Sequence, residues 1–163
     1  MGASGAGISW AGKPLLFGGG IIILLIVAGG LILLLVLLRK RKREIERAIT
    51  SRYPEDAILF RDDGANLFGM ASLGRRQVRG NGTLILTGDE LVFMMLVPRK
   101  EIRIPLSSII RIETPKSFLG KTRFIPLLKI DFSTPEGKTD SAAWALKNLE
   151  TSKKALEGIL QKH

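Results

Sequence analysis

Residues 15–38 run for twenty-four positions without a charge, and the next five are Arg39, Lys40, Arg41, Lys42 and Arg43. Coiled as an α-helix at about 1.5 Å per residue, the run reaches ~36 Å, more than the ~30 Å hydrocarbon core of a bilayer. A buried core helix fails as a reading on size, because the 125 residues that follow cannot wrap such a helix and also bury their own apolar side chains. A cleaved signal peptide needs a basic n-region, a shorter apolar stretch and a small-residue cleavage site. Here Lys13 is the sole basic side chain before the run, and a basic block follows it. The pattern predicts a retained transmembrane helix over 15–38.

Lys and Arg beside a spanning helix stay on the cytoplasmic side. Five basic residues behind the helix against one before it predict a single-pass protein with its N-terminus outside and its C-terminal part in the cytoplasm. The tail at 1–14, with Gly2, Gly5, Gly7 and Gly12, is too short and glycine-rich to fold. Residues 44–49 contain no helix breaker before Pro54, so 39–54 reads as a basic juxtamembrane helix and linker whose Lys and Arg side chains snorkel to the headgroups. Within the span, Gly18 and Gly29, like Gly19 and Gly30, stand eleven residues apart, about three helical turns, and share one side. Small residues in line let a second transmembrane helix approach, which makes a membrane-protein partner one expectation and simple tolerance of glycine in lipid the other.

The formal charge is +10, but half of it lies in and beside the membrane segment. A nucleic-acid reader concentrates basic residues on one face among stacking aromatics, and no such pattern exists here, so no nucleic-acid partner is expected. There is no cysteine, which excludes disulfides, thiolate metal sites and a cysteine nucleophile. The single histidine is His163, at a fraying helix end unsuited to acid–base work. Asp62-Asp63 precedes Gly64 and reads as a turn, and Asp89-Glu90 as part of a hairpin. No catalytic residue, metal or cofactor is expected.

Residues 55–163 carry the texture of a small mainly-β domain: short apolar alternations separated by Gly, Pro, Asn and Asp. Seven strands are expected, over 66–72, 83–87, 90–96, 101–105, 109–114, 127–133 and 138–143. Ile102 and Ile104 oppose Arg103, and Leu128, Ile130 and Phe132 oppose Lys129, Asp131 and Ser133, as in half-buried strands. The period then becomes helical through Leu149, Leu156, Ile159 and Leu160, with Asn148 at the N-cap. Such a helix lays its apolar stripe over the sheet, and Trp144 reads as the core anchor beneath it.

The run Gly82-x-Leu84-x-Leu86-Thr87-x-x-x-Leu91-x-Phe93 resembles the second and third strands of GRAM and other pleckstrin-homology-like domains. Ile104-Pro105-Leu106-x-x-Ile109-x-x-Ile112 resembles the step from their fourth to their fifth strand. Phe118-x-Gly120-Lys121, the strand at 127–132 and Ala143-Trp144 continue the likeness over roughly 66–160. The resemblance implies a partly open, two-sheet barrel of seven strands closed by the C-terminal helix, and a non-catalytic module that binds acidic lipids or protein segments. In its lipid-binding members, basic residues in the loop between the first two strands hold the phosphates. Arg75, Arg76 and Arg79 occupy that loop here, and the bidentate guanidinium suits the task. This sequence departs from the family in having no basic residue on the preceding strand as read above. A second basic cluster is Arg99-Lys100-x-x-Arg103. The expected function is a single-pass membrane-anchored adaptor or binding module that engages anionic lipid headgroups or a protein partner at the lipid bilayer. The alternative is an accessory subunit of a membrane complex assembled through its transmembrane helix.

Overall fold

The computed structural model describes residues 14–122 and 124–161, with side chains from Gly19 onward. The expected outer tail, apart from Pro14, and His163 lie outside the described residues. The chain divides into two compact units, Met1–Arg41 and Lys42–His163.

Helix α1 (Pro14–Arg52) passes through the uncharged run and the basic block without a break, and Pro54 follows its end. In the first unit its Ile and Leu side chains from Ile21 to Leu37 are 45–69% exposed, so this is not the core helix of a soluble fold. It is long and apolar enough to cross a membrane, with none of its apolar stretch buried.

The second unit opens with the last turns of α1. Ile45 and Ile49, one turn apart, are buried against Ile85, Val92 and Met94, with Ala48, Tyr53, Ile58 and Leu96 around them. The sequence pattern starts the domain at 55, after a linker; the structure starts it at Lys42. The reason is that the outer face of the sheet is apolar here and needs those two isoleucines as its cover.

Strands β1 (Phe60–Met70), β2 (Gly80–Leu86), β3 (Glu90–Met95), β4 (Lys100–Pro105), β5 (Ile109–Glu113), β8 (Leu128–Ser133) and β9 (Thr139–Ala145) form one antiparallel sheet in the order β4-β3-β2-β1-β9-β8-β5. A separate hairpin, β6 (Ser117–Phe118) with β7 (Lys121–Thr122), interrupts the β5–β8 connection where the sequence suggested only a loop. Helix α2 (Leu149–Leu160) ends the fold. Asn148 holds its N-cap position but makes no side-chain cap, contrary to expectation; the Ser152 hydroxyl instead donates to the Asn148 carbonyl at 2.7 Å.

Alternation along the strands divides the apolar residues. Leu84, Leu86, Leu91, Phe93, Ile102, Ile104, Leu128, Ile130, Phe132 and Trp144 share the main core with Leu156 of α2. Trp144 is fully buried beside Phe93, ring centroids 6.1 Å apart, which matches its reading as a core anchor. β1 is the strand common to both halves of the sheet, and two irregularities shape it. Between Asp62 and Ala65 the register with β2 shifts; the Asp62 carboxylate accepts from the Gly64 and Lys147 amides, each at 2.7 Å. The Asp62-Asp63-Gly64 signal is therefore a bulge inside the strand and not a turn, and β1 begins at Phe60 rather than at 66. The second shift, between Leu67 and Gly69, turns Phe68 outward from the main core into a cluster with Phe118, Leu127, Ala143 and Ala145.

Candidate functional site

Five arginines of the second unit, Arg52, Arg61, Arg99, Arg103 and Arg111, are tied to carboxylates. Arg61 on β1 donates to Glu46 of α1 at 3.0 Å and to Asp63 at 2.9 Å. Arg52 reaches Glu101 at 2.8 Å, Arg99 pairs with Glu44, and Arg103 pairs with Glu101 and Glu90. Arg111 lies 3.4 Å from both Asp131 and Glu113. The Arg61 hydrogen bond holds the Glu46 carboxyl below its ordinary range. Burial pushes Glu101 up, but the hydrogen bonds from Arg103 and Arg52 more than offset it, and this carboxyl also titrates low. Tyr53, which donates to Glu90 at 2.6 Å, is pushed up to about 12 by burial and by that bond. The Arg99-Lys100-x-x-Arg103 cluster is thus part of the seam between α1 and the sheet. Because β1 starts at Phe60, the strand before the arginine loop does carry a basic residue, Arg61, but one engaged on both sides.

The loop between β1 and β2 is built differently. After a 3-10 turn at Ala71–Leu73, the Gln77 carboxamide ties the loop to the strand end. Its Oε1 accepts from the Met70 amide at 2.7 Å, and its Nε2 donates to the carbonyls of Met70 and Gly74, each at 2.6 Å. Gly69 permits this approach, since a Cβ there would stand 2.7 Å from the carboxamide and its φ is +153°. The Ser72 amide and hydroxyl donate to the buried Asp140 carboxylate at 2.9 and 2.6 Å. From the neighbouring hairpin, Lys121 Nζ donates to the Gln77 carbonyl at 3.1 Å.

On this frame Arg75, Arg76 and Arg79 are exposed, and among the described residues none of them forms an ion pair. The Arg79 guanidinium lies 4.2 Å above the Phe68 ring, and the Arg75 guanidinium lies beside Gly120. The loop is pinned while its charges stay open, an arrangement suited to an anion that accepts from guanidinium N–H groups. Gln77 and Lys121 support the arginine loop, a role that the sequence flags for neither. Gln77 looks like any loop glutamine, and Lys121 belongs to a hairpin too short to show a period.

The five basic residues Arg39 to Arg43 are helical in α1. A Cβ added at Gly19, Gly29 or Gly30 would meet nothing within 4 Å, so packing within this chain does not require those glycines. The surroundings of Gly18 lie outside the described side chains. Among the described residues there is no group of three or more His, Cys, Asp or Glu placed to hold a metal ion.

No protein-family model matches the sequence, and no curated protein matches it. Among solved structures, the fold is similar to a chain of the 8S snRNP assembly intermediate, with TM-score 0.54 and 13% identity over 68% of this chain and 87% of that one. It is also similar to the C-terminal domain of an unknown protein from Leishmania infantum, with TM-score 0.51 and 17% identity over 72% of this chain and 98% of that one. At such identities the likeness speaks to the fold alone.

Proposed function

We propose that this chain is a single-pass, membrane-anchored, non-catalytic binding module whose cytoplasmic domain is of the pleckstrin-homology or GRAM type and engages anionic lipid headgroups through Arg75, Arg76 and Arg79. The observation that carries the reading is three open arginines gathered on one pinned loop: among the described residues they have no carboxylate partner, whereas Arg52, Arg61, Arg99, Arg103 and Arg111 have one, and the other open arginines of the unit, Arg43 and Arg47, lie on α1. The strand order, with β1 shared by both halves of the sheet and α2 packed into the main core, supports the barrel type. The five-to-one basic asymmetry across the apolar run supports the orientation.

An anchored domain meets its lipid at high effective concentration, so weak intrinsic affinity suffices. Sedimentation of residues 42–163 with phosphatidylserine vesicles tests the reading. Binding is expected at low salt, weakening as salt rises and falling sharply in the folded R75A/R76A/R79A variant. Vesicle binding that the triple variant leaves unchanged, or its absence in the natural sequence, would discard the headgroup role in favour of a protein partner.

A further inference from the structure

Loop 71–79 and the β6–β7 hairpin with the residues after it meet through the Lys121–Gln77 hydrogen bond and the seating of Arg75 beside Gly120. Four large apolar side chains on these two segments are turned into solvent: Leu73 at 51% exposure, Val78 at 68%, Phe124 at 89% and Ile125 at 42%. Phe124 stands out further, because its φ of 61° lies in the left-handed region that side-chain-bearing residues avoid. Its amide donates to the Thr122 hydroxyl at 3.2 Å, and that hydroxyl donates to the Lys116 carbonyl at 2.8 Å, so the unfavourable conformation is maintained by the hairpin. A strained backbone that holds an aromatic ring in water points to a ring meant for another medium.

The surrounding charge says which medium. Neither 71–79 nor 116–127 contains an acidic residue, and Asp140, the one carboxylate hydrogen-bonded to the loop among the described residues, is buried and engaged by Ser72 and Ser141. Open arginines beside exposed apolar tips complement an anionic lipid surface, which offers phosphate oxygens and hydrocarbon within a few ångströms of each other. A free phosphate would satisfy the arginines and leave the ring in water.

We propose that Phe124, with Ile125, Val78 and Leu73, inserts into the acyl region of an anionic bilayer while Arg75, Arg76 and Arg79 hold the adjacent headgroups. This deepens the headgroup reading and rests on it. The experiment uses the full chain reconstituted in phosphatidylserine-containing vesicles with lipids brominated on the acyl chain. Because the chain has no cysteine, a single Phe124→Cys or Leu59→Cys substitution places one environment-sensitive fluorophore. Leu59 is 52% exposed and precedes the far end of β1, an eleven-residue strand roughly 36 Å long. The probe at 124 is expected to shift to the blue and be quenched several-fold more than the probe at 59. Equal, weak quenching at both positions overturns insertion, and if binding of residues 42–163 remains arginine-dependent the headgroup role stands without it. Strong quenching at 124 that persists both in zwitterionic vesicles and in the R75A/R76A/R79A background supports insertion and removes the headgroup role. A probe at 124 that is shielded from aqueous quenchers yet untouched by brominated lipid overturns insertion and indicates a protein at this surface.

Discussion

Tyr53 is the only tyrosine in the chain, so its ionisation reports the seat of α1 on the sheet directly. Folding raises its pKa from 10.0 to about 12, by burial first and the Glu90 hydrogen bond second, which means the fold favours the neutral phenol. Its contribution to stability is therefore complete below pH 10 and lost as pH rises through about 12. A tyrosinate absorbance titration should find the midpoint near 12, and Glu90→Gln should lower it only part of the way, since burial remains. An ordinary midpoint in the natural sequence would show that Tyr53 does not dock. Gly82 makes a second single-residue test: an added Cβ would lie 2.2 Å from the Met94 carbonyl oxygen, which belongs to backbone and cannot step aside. Gly82→Ala should cost about 1–3 kcal/mol in denaturant unfolding, as overpacking does. At this scale the sequence exposes the candidate arginines but not their pairing. Arg75 and Arg103 look alike until the fold brings Glu90 and Glu101 to one of them and no carboxylate to the other.

The C-terminal turns of α1 are the element whose role is least visible in the sequence. Ile45 and Ile49 lie just past a basic block that already has a sufficient explanation as a topology signal, and only the apolar outer face of β2 and β3 gives them a structural task. Truncation distinguishes the two roles. Residues 42–163 should unfold cooperatively, whereas 55–163 should expose Ile85, Val92 and Met94 and aggregate or melt well below it. Ile49→Ala, at a fully buried position, should cost about 2–5 kcal/mol. Acid should loosen the same seam: Glu46 and Glu101 titrate low in the fold, so their contribution is present above their ordinary pKa and is lost as pH falls through the depressed values. Hydrogen exchange of residues 44–52 should accelerate there before that of β9. The strands with clean alternation, β4 and β8, fall within a residue of where their pattern places them, because one face of each meets the core. β1 does not. Its Asp62 bulge mimics a turn, and the carboxylate's partner at Lys147 is eighty-five residues away in sequence.

For the whole molecule, the apolar helix and the basic block are legible without a structure, because a length and a charge asymmetry are local properties. An impermeant thiol reagent should fail to label a cysteine at exposed Lys154 in intact cells, and neutralising residues 39–43 should make labelling partial. The proposed function is less legible, because a headgroup site would depend on which charges the fold leaves open. Vesicle binding of residues 42–163 measures this most directly when two variants of equal charge are compared: R75A/R76A/R79A, which removes open arginines, and R99A/R103A/R111A, which removes paired ones. Each arginine near an anionic surface contributes about 1 kcal/mol, so the loop variant should lose partitioning by a factor on the order of a hundred. The paired variant, checked for folding, should lose little; equal losses in the two would show that net charge alone drives binding and would contradict a headgroup site in the β1–β2 loop.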